Sequence, residues 1–311
     1  MKSKLCRYVQ DLAHKTGRHT IATWILAIVL LVCFAPVRVS ADIGPKTSVT
    51  ITVNGVEEGQ VYYATLLSQY ETNGPNSAYD GGYARYEQGE KDYEIWKKFV
   101  EYEDKDGYYF LQEFWTCSGS DAFRWGYYPP TPFKILLYFP EQEAFVVSNI
   151  YERYAFDTYY TVDLSGMDIS AVSYGEPFGA EKSYDYTWEL VSLGVRIVLT
   201  IVVELAVAFI LGLRQKNQLK FLILCNVITQ IVLNVLLNIV NYNKGPWAFT
   251  FYYVLWEFVV FAIEAVVYSM VLSRPSFGQV LKHKAVLYAL FANTVSFAAG
   301  LWLAHLIPGI F

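Results

Sequence analysis

The strongest constraint on this 311-residue chain is a set of polar side chains set inside three apolar stretches near its C-terminus. Arg196, Thr200 and Glu204 share one helical face of the first stretch. Asn226, Gln230, Asn234 and Asn238 do so in the second, and Tyr253, Glu257, Glu264 and Tyr268 in the third. A side chain ionised at membrane depth costs roughly 2.5–3.5 kcal/mol on insertion scales, so three glutamates and an arginine together cost on the order of 10 kcal/mol. Pairing inside a helix bundle has to offset that cost. The interior of the bundle is therefore where function is sought first.

Four stretches, near 188–213, 220–241, 248–273 and 285–306, are long and apolar enough to cross about 30 Å of hydrocarbon. The segments joining the first to the second (Arg214, Lys216, Lys220) and the third to the fourth (Arg274, Lys282, Lys284) are basic. The segment between the second and third carries Lys244 alone. The positive-inside rule puts the basic segments in the cytoplasm and both ends of the four-span region outside. The cytoplasmic segments are too short to form a domain that hydrolyses nucleotides or binds nucleic acid.

The N-terminus reads as a cleavable signal peptide over 1–41. Lys2, Lys4, Arg7, Lys15 and Arg18 precede the apolar run from Ile21 to Pro36, and Val39-Ser40-Ala41 supplies the small residues of a cleavage site. An uncleaved anchor is the alternative. The signal agrees with the loop charges in exporting residues 42–186 as a domain, ahead of a four-helix transmembrane domain over 187–311, and in placing the protein in the plasma membrane. Of the four cysteines, Cys6 and Cys33 would leave with the signal and Cys225 lies in a span, so Cys117 would be the one exported thiol. The exported domain is then stable without an internal disulfide.

Between Asp42 and Asp185 the chain carries 24 acidic and 10 basic residues, a net charge of −14. That surface favours cations or basic partners and disfavours anionic ones. Ser48–Val53 alternates and ends in an Asn54-Gly55 turn, and 61–67, 107–115, 133–138, 144–147 and 158–162 also read as strands. One helix is expected near 92–101, where Tyr93, Trp96, Phe99 and Val100 share a face. The pattern points to a small antiparallel β-sandwich. Asp104, Asp106, Gly107 and Glu113 fit four positions of an EF-hand loop, but Tyr102 occupies the first ligand position and a strand follows. A solvated acidic turn is the simpler reading. Trp115, Trp125, Tyr127-Tyr128 and Tyr159-Tyr160 could stack on sugars or fill the core. The domain has no histidine and no nucleophile–base pattern, which removes the commonest general base.

The topology sorts the intramembrane polar residues into two layers. Arg196, Asn234 and Glu257 form an outer layer that can balance its own charge, with Arg196 pairing Glu257. Glu204, Asn226 and Glu264 form an inner layer with two carboxylates and no basic partner, and Thr200 and Gln230 lie between the layers. Two neighbouring carboxylates in low dielectric share a proton, bind a cation or borrow a charge. Carboxylate and amide oxygens suit Ca²⁺, Mg²⁺, Mn²⁺ or Na⁺, so Glu204, Asn226 and Glu264 are the candidate metal ligands. The simpler reading is interhelical hydrogen bonding, at about 0.6 kcal/mol per bond.

The fourth span has a stripe of small residues (Ala285, Ala289, Ala292, Ser296, Gly300) suited to close packing within the bundle or to an oligomer contact. His305 is expected at its outer interface.

Three functions follow in order of support. The first is an exported ligand- or partner-binding domain anchored by the bundle, in contact with lipid and docking with other membrane proteins or a second copy. The second is a cation- or proton-handling transport component using Glu204 and Glu264. An intramembrane hydrolase comes last, because no span holds an adjacent glutamate pair or a mid-membrane histidine.

Overall fold

A computed structural model describes residues 44–169 and 177–306. The signal region with Cys6 and Cys33, and the side chain of His305, lie outside the described residues. Among the described residues, eleven strands and one α-helix form a β domain: β1 Ser48–Asn54, β2 Val61–Ser68, β3 Thr72–Asn73, β4 Asn76–Ser77, α1 Tyr93–Val100, β5 Tyr109–Phe110, β6 Trp115–Ser118, β7 Ala122–Trp125, β8 Phe133–Phe139, β9 Ala144–Val147, β10 Asp157–Asp163 and β11 Ala180–Lys182. Four long apolar helices follow: α2 Thr187–Ile210, α3 Lys216–Lys244, α4 Pro246–Val271 and α5 Lys282–Leu306. Each is long and apolar enough to span a membrane.

The strands form two main sheets, ordered β11-β10-β1-β7 and β5-β2-β8-β9, with β6 also paired to β2. Val49, Ile51 and Val53 of β1 face Tyr62, Ala64 and Leu66 of β2 and Phe133, Ile135 and Leu137 of β8 in one core. The expected sandwich is corrected in three respects. β1 and β10 run parallel, Ser48 against Asp157 through Asn54 against Asp163. The Asn54-Gly55 turn does not close a hairpin, because β1 and β2 belong to different sheets. Gly55, at φ 81°, instead packs on the end of β10, where a Cβ would come within 2.3 Å of the Ser165 nitrogen. Third, α1 adds another layer. Trp96 and Phe99 cover Leu67, Leu136 and Tyr138 on the outer face of the second sheet. With both faces covered, β8 is buried at every residue, which explains a run, FKILLYF, that is apolar except for Lys134.

The strand expected over 107–115 is reduced to Tyr109–Phe110, and Trp115 instead opens β6. The acidic turn before it is not solvated at Asp104. Lys134 of β8 reaches Asp104 at 2.8 Å and Asp106 at 2.5 Å, with the Asp104 side chain 1% exposed. Glu113, the last residue of the EF-hand pattern, pairs with Arg85.

Helix ends follow local chemistry. Gln215 and Gln218 cap the start of α3 reciprocally. Gly245, at φ 81°, ends α3, and Pro246 opens α4, where its missing N–H is no loss. This turn also meets the β domain. The Phe156 N–H donates to the Tyr242 carbonyl at 2.8 Å, and a Cβ at Gly245 would come within 2.6 Å of the Phe156 ring. Tyr154 and Tyr184 pack tilted and edge-on against Tyr242, with ring centroids 6.3 and 5.3 Å away.

Candidate functional site

The four helices bring the sequence stripes together. Arg196, Thr200, Glu204, Asn226, Gln230, Asn234 and Glu264 are all buried, while many large apolar side chains of α2–α5, Val198, Leu224, Phe251 and Trp302 among them, face outward. Glu257 and Asn238 are half-buried. The polar residues fall into a layer nearer the β domain and one remote from it.

In the nearer layer the Arg196 Nη1 donates to Asn234 Oδ1 at 2.8 Å, and the guanidinium lies 5.3 Å from the Phe249 ring centroid and 5.7 Å from that of Tyr253. Such contacts stabilise a desolvated cation by about 2 kcal/mol. Asn234 in turn donates to the Gln230 carbonyl at 2.8 Å. Asn234, expected in the same layer as Arg196, is thus a direct hydrogen-bond partner of it. Glu257 joins Arg196, Thr200, Gln230, Asn234 and Tyr253 around a small cavity with about 10 Å³ open to a water centre. That is about the room one water needs.

The remote layer centres on Glu204 and Glu264. Glu204 Oε2 accepts from Asn226 Nδ2 at 2.5 Å and from the Tyr288 hydroxyl at 3.1 Å. Asn226 Nδ2 also reaches the Leu222 carbonyl at 3.0 Å and the Tyr268 hydroxyl at 3.3 Å. Glu264 Oε1 accepts from the Thr229 hydroxyl at 2.8 Å and Oε2 from Asn293 Nδ2 at 2.7 Å. Two buried oxygens, Glu204 Oε1 and Asn226 Oδ1, have no hydrogen-bond partner. No salt bridge to either carboxylate forms among the described residues. Nor do the described residues contain three His, Cys, Asp or Glu side chains grouped to hold a metal ion. The layer offers two carboxylates and an amide.

Sequence reasoning missed the part played by α5. Its small residues Ala285, Ala289 and Ala292 pack inside the bundle as a close-packing stripe should. The same helix also sends Tyr288 and Asn293 into the polar layer. An asparagine in an otherwise apolar span was the available signal. Thr229 lies off the asparagine stripe of α3, and nothing in its spacing marked it.

A second concavity lies on the β domain. Tyr83, Arg85, Glu113, Trp115, Trp125 and Tyr127 line a cleft of about 520 Å³. The rings singled out in the sequence divide between core and surface. Trp125 is 2% exposed and donates its indole N–H to the Tyr127 carbonyl at 2.9 Å, whereas Tyr127 and Tyr128 are 39% and 50% exposed. Tyr160 is core and donates to the Glu152 carbonyl. No family model, curated protein or solved structure matches this chain.

Proposed function

We propose that this is an integral membrane protein whose exported β domain binds a ligand or partner, with the four-helix bundle as its anchor in the plasma membrane. The cleft beside Trp115 carries this reading, because concave sites of about 300–1,000 Å³ lined by rings and a few polar groups are the usual form of a ligand site. The Phe156–Tyr242 contact supports it by tying the domain to the bundle at a helix end. A chemically diverse fragment panel, screened by saturation-transfer NMR on the protein in nanodiscs, tests it. Fragments that bind the cleft and are lost in Trp115→Ala, checked for folding by circular dichroism, support the reading. Fragments that bind only elsewhere, or nowhere on the domain, refute it.

The unpartnered Glu204 Oε1 and Asn226 Oδ1 favour a second reading. Buried oxygens without donors are costly, at about 1–3 kcal/mol each. A small cation held by Glu204, Asn226 and Glu264 would satisfy them. With both carboxylates ionised the layer carries −2 and balances Ca²⁺, Mg²⁺ or Mn²⁺, whereas with one of them protonated it balances Na⁺. Thermal unfolding across those four cations, in wild type and Glu264→Gln, tests this reading. A stabilisation by one cation that the variant loses supports it, since a ligand of the folded state raises stability. Equal melting in all four would leave the layer as interhelical glue. Outward-facing apolar residues fit contact with lipid, other membrane helices or a second copy.

A further inference from the structure

The walls of the β-domain cleft are held on both sides by side-chain hydrogen bonds and close packing. On one side, the buried Gln112 donates through Nε2 to the carbonyls of Ser77 and Tyr83, at 3.2 and 3.3 Å, and accepts the Arg85 N–H at 3.0 Å. That side chain ties the two ends of the 77–85 segment together. On the other side, Asn73 donates to the Tyr128 carbonyl. Gly74, at φ 59°, lets the β3–β4 hairpin approach the Tyr128 ring, which a Cβ would meet at 2.5 Å. Gln112 and Tyr128 themselves hold left-handed backbone at φ 62° and 50°. Non-glycine residues keep such conformations where the surroundings over-determine them, and they cluster at ligand sites. A cleft shaped in advance avoids much of the ordering cost of binding.

Its chemistry narrows the occupant. Tyr83 is 77% exposed and Tyr127 39%, so both present ring surface, while the half-buried Trp115 and buried Trp125 form the floor. Arg85 pairs with Glu113 at the rim, and the Lys46 ammonium lies 5.5 Å from the Tyr127 ring centroid. The paired Arg85 and Glu113 leave the rim without net charge, so it offers a charged ligand no counter-charge. The surrounding domain, with 24 acidic and 10 basic residues, disfavours a polyanion. A neutral ring bearing hydroxyls meets every condition. Its C–H face stacks on indole and phenol rings, and neighbouring hydroxyls take the guanidinium fork as donor and the carboxylate as acceptor.

We propose that this cleft binds a neutral pyranose-containing glycan, with Trp115 and Tyr127 as stacking platforms and the Arg85–Glu113 pair reading hydroxyls. This rests on the reading of the β domain as a ligand-binding module. The test is titration of the full-length protein in nanodiscs with maltotriose, cellotriose, chitotriose and mannotriose, followed by tryptophan fluorescence and calorimetry. At least one should saturate. Tyr83→Ala and Tyr127→Ala remove exposed rings without touching the core, and each should weaken binding by about tenfold. Trp115→Phe keeps a ring in the core and should weaken binding similarly, and Glu113→Gln by at least as much. No saturation by any trisaccharide at about 10 mM, well above a millimolar Kd, overturns the assignment. So does binding that survives these variants. The fragment panel separates the two readings: fragments in the cleft without any glycan overturn the glycan assignment alone, and an empty cleft in both screens overturns both.

Discussion

Lys134→Met tests the account of the acidic turn most directly. The Lys134 ammonium lies 2.9 and 2.8 Å from the two oxygens of Asp104, with the lysine side chain 5% and the aspartate 1% exposed. Asp106 is 61% exposed, so its pair contributes at most about 1 kcal/mol. The effect therefore comes from Asp104. Removing one partner of a buried pair costs about 3–5 kcal/mol, because the other charge is left uncompensated. Asp104 Oδ2 keeps the N–H groups of Asp106 and Tyr108, at 3.0 and 3.3 Å, which places the loss near the lower end, about 3 kcal/mol.

For a domain of this size that is a fall of roughly 9–15 °C in the β-domain transition, read by differential scanning fluorimetry on the protein in nanodiscs. Adding Asp104→Asn removes the orphaned charge yet keeps an oxygen for both N–H groups. The double variant should return to within about 1 kcal/mol of wild type. A single variant that loses under about 1 kcal/mol, or a double variant that loses the sum of both singles, would refute the reasoning. Millimolar Ca²⁺ should not raise the wild-type transition, since the lysine occupies the place a cation would need. Burial works to lower the Lys134 ammonium, but its hydrogen bonds to Asp104 and Asp106 outweigh this and hold it above the usual range. The stabilisation is therefore full below about pH 10 and is lost as pH rises through that raised value.

Further outcomes follow from other sites. Gly245→Ala should destabilise the junction between the β domain and the helices by more than the roughly 1 kcal/mol of a positive-φ penalty, because its Cβ would meet the Phe156 ring at 2.6 Å. Phe156→Ala should recover the steric part, and hydrogen exchange at Tyr242–Gly245 is the readout. Asn293→Leu removes the donor to Glu264 Oε2 and should cost about 1–3 kcal/mol in a detergent-unfolding titration. A neutral result would mean that Asn293 does not hold Glu264 in place. Burial pushes the Cys117 thiol up to about 11 from 9.0, so its share of stability is complete below pH 9 and lost as pH rises through about 11. Thiol labelling of the folded protein should stay slow until that window. Fast labelling at pH 8 would contradict its burial.

The membrane half was legible because the energetics are one-sided. An arginine or glutamate in a span has to face inward, and Arg196, Glu204 and Glu264 do so. What escaped was any group whose type is ordinary in a helix, such as Thr229 and Tyr288, whose part depends on what a neighbouring helix presents. In the β domain, β1, β2, β8 and α1 were visible from alternation, a near-continuous apolar run and helical spacing. The parallel β1–β10 pair joins residues 109 apart, as Ser48 and Asp157 are, and no local pattern encodes so distant a partner. Gln112 was equally hidden. A single glutamine in a polar, aromatic region carries no spacing signal, and its role arises from burial against the 77–85 segment.

The parallel pairing also sets an order of assembly. β1 is among the first strands to be made, yet it lies between β7 and β10, and β10 precedes α2 by fewer than thirty residues. At about 5–20 residues per second, the 109 residues from Ser48 to Asp157 take roughly 5–20 s to synthesise. Through that interval Val49, Ile51 and Val53 have no partner on the β10 side and form part of an exposed strand edge. The domain can close only when the chain is on the point of delivering its first apolar helix. Folding of the β domain and insertion of α2 are thus neighbouring events in time, and a delay in the first would leave an adhesive edge beside the membrane.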